Sequence, residues 1–124
     1  MSDMIIIVDD EKDAGRTLRE RMRMLGLDAY YLKDPKAVPD IINKVGARVL
    51  ITDFWMDGLT GADLAIRVRK ECPTVEVIVI ISGEASNPFV REAAEKADCP
   101  LAEKPISRED VENFIKRFNL REKE

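Results

Sequence analysis

Apolar runs and amphipathic segments alternate along the whole chain. Five runs are short and apolar, as expected of strands, and the longer ones show almost no alternation, as in parallel strands buried on both faces. A segment with apolar residues at helical spacing follows each run. The predicted strands are residues 4–8, 29–32, 48–52, 75–81 and 101–103, and the run at 29–32 is typical of an edge strand.

The segments between the runs predict five helices with clear end signals. Gly26 and Gly46 are placed to end the first two helices, and Pro39 restricts regular structure in the second to about residues 39–45. Asn87 followed by Pro88 begins the fourth helix, which is lightly anchored and a candidate moving part. The other predicted helices are residues 11–25, 61–71 and one after the Ser107–Asp110 capping box; the thin apolar face of the fourth helix is Phe89, Val90, Ala93, Ala94 and Ala97.

The order of these elements predicts one α/β domain over residues 1–124. Its architecture is a doubly wound, five-stranded parallel sheet with five helices distributed over both faces. A sheet of this kind takes the strand order 2-1-3-4-5, which reverses between the first and third strands. Ligands bind at this switch point, outside the carboxyl ends of the strands. The residues that end the strands are therefore the candidate functional residues.

Composition and charge exclude several kinds of function. The net charge of −4 argues against nucleic acid as a direct partner, and the absence of histidine excludes Ser-His or Cys-His catalysis within the chain. The apolar runs are far shorter than the ~20 residues that a membrane span needs, and no signal peptide is recognisable, so we expect a cytoplasmic protein without a membrane partner. Cys72 and Cys99 have no metal-ligand spacing and are expected to be buried, reduced thiols.

Four of the predicted strands end in residues that suit phosphoryl transfer. Asp9 and Asp10 follow the first strand and Asp53 follows the third, so the predicted strand order places three carboxylates in one crevice. A hard divalent cation such as Mg²⁺ would relieve their mutual repulsion. Ser82 and Lys104 would add a hydrogen-bond donor and a positive charge for a phosphoryl oxygen. We therefore predict that Asp53 is a phosphoryl acceptor.

Each of these residues also has an ordinary structural interpretation. The Asp9–Asp10 pair would serve as helix N-cap acids, Asp53 as a loop residue before a turn, and Ser82 as part of a turn. Lys104 would be an exposed lysine. The functional hypothesis rests on their joint occurrence at four strand ends, which chance explains poorly.

This set of residues resembles the signature of the receiver domain of bacterial two-component response regulators, and the resemblance extends over essentially the whole chain. It implies a flavodoxin-like fold and a signalling switch rather than an enzyme. A histidine kinase or a histidine phosphotransfer protein would phosphorylate the acceptor, and the face built from the fourth helix, fifth strand and fifth helix would change its affinity for an output protein. A homodimer formed on phosphorylation is a further implied partner. The residues that carry the resemblance are Asp9–Asp10, Asp53 with Met56 and Gly61 behind it, Ser82 and Lys104–Pro105.

The resemblance also implies a role for each site residue. Mg²⁺ would be bound by Asp10, Asp53 and the backbone carbonyl of Trp55, with Asp9 acting mostly through water. Ser82 would contact the phosphoryl group after transfer, and Lys104 would form an ion pair with it. The domain would assist its own phosphorylation and its dephosphorylation by an in-line water.

The sequence departs from the family pattern at several positions. Leu101 stands where the family usually has a switching Tyr or Phe, so coupling by an inward-turning ring would be weakened or carried by other groups. Asp57 stands where proline is frequent, and residues 98–100 lack the usual Gly-Ala. Trp55 and Glu84 occupy the two variable positions that flank the site, where Trp55 would act as packing or as a lid over the site.

Three other functions remain open. Leu101 and Asp57 favour a receiver-fold docking module that signals without phosphate. A phosphohydrolase with an aspartyl-phosphate intermediate is less favoured, because such enzymes commonly have a second aspartate two residues after the nucleophile, where this chain has Trp55. A flavin site is weaker still, since the loops after the first and third strands are acidic where a phosphate cradle should be neutral or positive.

Overall fold

The computed structural model describes residues 2–123 and contains the predicted parallel sheet. Its five strands lie in the order β2-β1-β3-β4-β5, so the predicted doubly wound, flavodoxin-like topology is confirmed, with β2 at one edge. The strands are β1 (Met4–Val8), β2 (Asp28–Leu32), β3 (Val49–Asp53), β4 (Val77–Ser82) and β5 (Leu101–Glu103).

Five α-helices connect and follow the strands, as predicted. The second begins late because Asp34 caps a short 3-10 turn over Pro35–Ala37, and Pro39 then occupies the first turn of the α-helix, where a missing N–H costs nothing. Asn87 caps the fourth helix through the Phe89 N–H. The helices are α1 (Lys12–Met24), α2 (Val38–Val45), α3 (Gly61–Glu71), α4 (Pro88–Lys96) and α5 (Arg108–Phe118).

Apolar cores on both faces of the sheet explain why its inner strands lack alternation. In β1, Ile6 and Val8 face the core under α2, α3 and α4, whereas Ile5 and Ile7 face the core under α1 and α5. A strand covered on both faces must be apolar at every position. A polar side chain can avoid the free-energy cost of burial in the core only at the end of such a strand, and this is where the candidate functional residues lie.

The structure corrects one detail of the predicted packing and adds an element. Phe89 was expected on the apolar face of α4, but it is 60% exposed, whereas Val90 and Ala94 of the same predicted face are buried. A hairpin of two-residue strands, Trp55–Met56 and Leu59–Thr60, follows β3 and was not predicted. Cys72 and Cys99 are buried free thiols, as predicted.

No helix within residues 2–123 has both the length and the apolar character needed to cross a membrane.

Candidate functional site

Three carboxylates meet at the carboxyl ends of β1 and β3. These strands are parallel neighbours with Val8 opposite Thr52, so Asp9 and Asp53 leave the sheet side by side. Asp9 is 1% exposed and Asp53 is 7% exposed. One carboxylate oxygen from each of Asp9, Asp10 and Asp53 lies within 4.8 Å of the other two. The structure thus brings together the acidic residues that the sequence places at separate strand ends.

Lys104, directly after β5, supplies a positive charge that Asp9 and Asp53 share. Its Nζ lies 2.9 Å from Asp9 Oδ2, 3.4 Å from Asp53 Oδ1 and 4.0 Å from Glu11 Oε1. Burial by itself would lower the pKa of Lys104, but its hydrogen bond to Asp9 and its attraction to both aspartates outweigh burial, so the pKa is raised. The ammonium is therefore charged at neutral pH.

One ammonium does not compensate this much negative charge. Burial and repulsion from Asp9 raise the pKa of Asp53 to about 7, although Lys104 acts in the opposite direction. At neutral pH the Asp53 carboxyl is therefore partly protonated, and where it is ionised its negative charge is not fully compensated. A divalent cation would remove this conflict.

The donor set fits Mg²⁺. The converging groups are carboxylate oxygens from Asp9, Asp10 and Asp53, which are ligands that a hard cation prefers. Nitrogen and sulfur ligands, which would favour zinc, are absent from this cluster. The cluster is thus able to hold a hard metal ion.

Backbone geometry behind Asp53 requires a glycine at position 61. A Cβ at Gly61 would collide with the backbone carbonyl oxygen of Asp53, and the Gly61 N–H donates to the Phe54 carbonyl at 2.7 Å. The start of α3 can therefore approach the end of β3 closely. Gly58, with φ +88°, allows the reversal of the hairpin between them.

Ser82 is the last residue of β4 and is buried beside the site. β4 places Ile81 opposite Asp53, so Ser82 lies one residue beyond Asp53 in register. Its Oγ accepts a hydrogen bond from the Glu84 N–H at 3.0 Å. The Ser82 hydroxyl can also donate its hydrogen, so it can bind an oxygen atom of a ligand while it keeps the hydrogen bond from the Glu84 N–H.

Trp55 forms an aromatic cluster that the sequence did not reveal. Its ring stacks on Phe89 of α4 with centroids 5.8 Å apart and an interplanar angle of 10°, and it meets Phe54 edge to face at 4.7 Å. Trp55 is 45% exposed, so it is neither a core residue nor free in solvent. It links the loop after β3 to the first turn of α4. The spacing of Trp55 and Phe89 along the chain contains no signal for this contact.

A cavity of about 600 Å³ extends from the carboxylates. Its lining includes Thr17 and Arg21 of α1, Ile106 of the loop before α5, and Trp55. The Arg21 guanidinium donates to the Ile106 carbonyl at 3.0 Å and ties α1 to this loop. The Asp53 side chain therefore forms part of the lining of a cavity that a larger group can enter.

Comparison with known proteins identifies the family. The response regulator receiver domain profile matches residues 5–116, which is most of the chain. The chain belongs to this family. Receiver domains are parts of two-component systems and act as signalling switches.

Individual relatives agree with this assignment. The chemotaxis protein CheY of Pseudomonas aeruginosa is 26% identical over 121 residues, which cover 93% of this chain and 98% of CheY. The two-component response regulator ARR17 of Arabidopsis thaliana is 29% identical over 89 residues, covering 71% of this chain and 58% of ARR17. The chain thus matches only part of the length of some relatives.

A solved structure supports the fold. The beryllofluoride-activated receiver domain dimer of NtrC4 superposes with a TM-score of 0.80 at 23% identity, covering 92% of this chain and 93% of that one.

Proposed function

We propose that this chain is the phosphoacceptor switch of a two-component phosphorelay and that residues 1–124 form a single receiver domain. A phosphohistidine on a histidine kinase or a histidine phosphotransfer protein would be the donor, in the cytoplasm. This partner must supply the imidazole, because the chain contains no histidine. The observation that carries the proposal is the single ammonium of Lys104 shared by Asp9 and Asp53, with a third carboxylate in reach.

In the proposed reaction, a carboxylate oxygen of Asp53 attacks the phosphorus of the donor. The P–N bond breaks, the imidazole nitrogen keeps the electron pair, and an acyl phosphate forms on Asp53. Lys104 Nζ, 3.4 Å from Asp53 Oδ1, then pairs with an oxygen of the new phosphoryl group, and the Ser82 hydroxyl donates to another.

The proposed cation ligands are Asp10, Asp53 and the Trp55 backbone carbonyl, with Asp9 acting through water. Bound Mg²⁺ would neutralise charge on the phosphoryl oxygens. The chain would also assist hydrolysis of its own acyl phosphate, with Trp55 and Glu84, which both line the cavity, limiting the approach of water.

The proposed output face consists of α4, β5 and α5. A groove of about 410 Å³ on this face is lined by Leu101 together with Arg91 of α4 and Arg117 of α5. Leu101 is half-buried against the core. Because it is a leucine, this position has no aromatic ring that could turn inward. An output protein would recognise this face, and a second copy of the chain is a further proposed partner, since the related NtrC4 receiver domain forms a dimer.

Phosphorylation of the isolated chain tests the proposal. Incubation with acetyl phosphate and Mg²⁺ should add one phosphoryl group per chain, detected by mass spectrometry, and Asp53→Asn should abolish the addition because an amide cannot form the acyl phosphate. Asp57→Asn is the matched control, because it removes an exposed carboxylate from the same loop. It should be labelled like the wild type. Labelling that persists in Asp53→Asn would remove Asp53 from the acceptor role.

The alternative is a receiver-fold docking module that signals without phosphate. Leu101 favours it, because the usual aromatic coupling residue is missing. The same experiment separates the two functions: a wild-type chain that remains unlabelled by acetyl phosphate and by phosphoramidate in the presence of Mg²⁺ would favour the docking module.

A further inference from the structure

Tyr31 on β2 reaches across to the loop after β1, which carries Asp9 and Asp10. Its hydroxyl donates a hydrogen bond to the backbone carbonyl of Asp9 at 2.6 Å. The next residue, Leu32, accepts from the Asp9 N–H at 3.4 Å. Both backbone polar groups of Asp9 are therefore held by consecutive residues of the neighbouring strand.

The Tyr31 ring occupies a position that only a glycine in α1 allows. A Cβ at Gly15 would lie 2.9 Å from Tyr31 Cζ and closer still to Cδ1 and Cε1. Gly15 lies within α1, where glycine weakens the helix relative to alanine. The ring thus rests directly on the helix backbone, which fixes the direction in which its hydroxyl points.

The peptide bond held by Tyr31 is the one that joins the two aspartates. The carbonyl of Asp9 and the N–H of Asp10 belong to the same planar group, so a hydrogen bond to this carbonyl orients the backbone of both residues. The Asp9 carboxylate is also held, by the Glu11 N–H and by Lys104, each at 2.9 Å. Within the described residues, the Asp10 carboxylate accepts one hydrogen bond, from the Asp57 N–H at 3.3 Å. Asp10 therefore depends most on the orientation of its backbone.

We propose that Tyr31, seated on Gly15, is a positioning residue for the cation site: its hydroxyl holds the Asp9–Asp10 peptide so that the Asp10 carboxylate points at Asp53. This inference rests on the proposed function, because it assumes that the three carboxylates bind Mg²⁺. Residues that orient metal ligands without contacting the metal typically affect metal affinity by ten- to a hundredfold.

Mg²⁺ titration of the full chain, followed by the fluorescence of its single tryptophan, tests the proposal. Tyr31→Phe keeps the ring and removes the hydroxyl, and it should raise the Mg²⁺ dissociation constant about tenfold. Gly15→Ala keeps the hydroxyl but displaces the ring, and it should weaken Mg²⁺ binding in the same direction. Tyr30→Phe is the matched control, because it removes the hydroxyl of the adjacent, exposed tyrosine, and its affinity should equal that of the wild type.

A double-mutant cycle separates positioning from a general loss of structure. In an Asp10→Asn background, Tyr31→Phe should no longer change the residual Mg²⁺ affinity, since the carboxylate that it positions is gone. Equal effects of Tyr31→Phe in both backgrounds, or wild-type affinity in the single variant, would overturn the proposal.

The failure of the proposed function has a different signature. If the wild type does not respond to Mg²⁺, or if Asp10→Asn binds Mg²⁺ as well as the wild type, the cation site itself is wrong. If Asp10→Asn loses binding and Tyr31→Phe retains it, only the role of Tyr31 is wrong.

Discussion

The two ends of the sheet each bury an aspartate, but their charges are balanced differently. At the amino end, the Asp3 carboxylate accepts from the Arg121 backbone N–H at 2.7 Å, from Arg121 Nη2 at 2.8 Å and from Arg48 Nη1 at 2.9 Å. Burial would raise the pKa of Asp3, but these hydrogen bonds and the two guanidinium charges lower it. At the carboxyl end, Asp9 and Asp53 share the ammonium of Lys104 and the Asp10 carboxylate lies close to both, and the pKa of Asp53 rises to about 7.

This comparison contrasts a carboxylate whose charge is balanced by its neighbours with one whose charge is not. Asp3 and Asp53 are the same residue type, both are buried, and burial acts to raise the pKa of each. The charged groups around them differ: two guanidinium groups face Asp3, whereas one ammonium and a second aspartate face Asp53. A carboxylate whose negative charge is fully compensated by cationic side chains stabilises the fold. A cluster of carboxylates with more negative charge than its cationic partners compensate can be stabilised by binding a cation.

The largest expected effect comes from removing the balanced carboxylate. Asp3→Asn should lower the free energy of unfolding by about 3 kcal/mol, because Arg48 and the Arg121 backbone lose a charged acceptor at a partly buried position. Urea denaturation at neutral pH measures this. Glu76→Gln removes the exposed partner of the same Arg48 and should cost about 0.5 kcal/mol. Equal losses in the two variants would mean that Asp3 is no more than a surface ion pair.

The opposite sign is expected at the carboxyl end. Without metal at pH 8, Asp53→Asn should raise the free energy of unfolding by about 2 kcal/mol, because it relieves repulsion between carboxylates less than 5 Å apart and loses only part of the attraction to Lys104. Asp57→Asn is again the control and should have little effect. A destabilised Asp53→Asn would show that the ammonium already balances the site.

The same variant should change the pH dependence of stability. The pKa of Asp53 is about 7 in the folded chain and 3.8 is its ordinary value, so between these values the folded chain holds a proton that the unfolded chain has released. Stability of the metal-free wild type should therefore fall as the pH rises from about 4 to about 7. The pKa of Asp3 is lowered, so its contribution to stability should be lost only as the pH falls below the ordinary value of 3.8. By urea denaturation, the free energy of unfolding of the wild type should be lower at pH 8 than at pH 5, and Asp53→Asn should remove this difference.

The smallest expected effect is the stabilisation by Mg²⁺. At ten times its dissociation constant, Mg²⁺ should stabilise the wild type by about 1.4 kcal/mol, because it binds only the folded chain. Asp3→Asn should gain the same increment, since it leaves the carboxyl end intact, whereas Asp53→Asn should gain little. Sodium chloride at matched ionic strength controls for screening. An equal gain in all three proteins would indicate nonspecific binding.

The carboxylate cluster at the carboxyl end of the sheet was predictable, and the environment of Asp3 at the amino end was not. Asp9, Asp10 and Asp53 end continuous apolar runs, and parallel strands must bring such ends to one edge. Asp3 gives no comparable signal, because its partners Arg48 and Arg121 lie 45 and 118 residues away in the sequence. Tyr31 was assigned to a strand, but its contact with Asp9 depends on the neighbouring α1 backbone at Gly15.

Phe89 shows the limit of periodicity. Helical spacing places it beside Val90 on α4, and only the exact rotation of that helix decides which of the two is buried. The Trp55 ring, brought near by the hairpin after β3, gives the exposed Phe89 a stacking partner. A rotation of this kind depends on the shapes of the packed elements and not on the local pattern.

The sequence by itself determined the α/β architecture, the strand order and the set of acids, hydroxyl and lysine at the strand ends, because hydrophobic periodicity and the connection rules of parallel sheets are local or topological. Only the tertiary structure decided how the charges are balanced. That balance depends on distances between groups far apart in the chain, such as Lys104 and Asp9, which are separated by 95 residues and lie 2.9 Å apart.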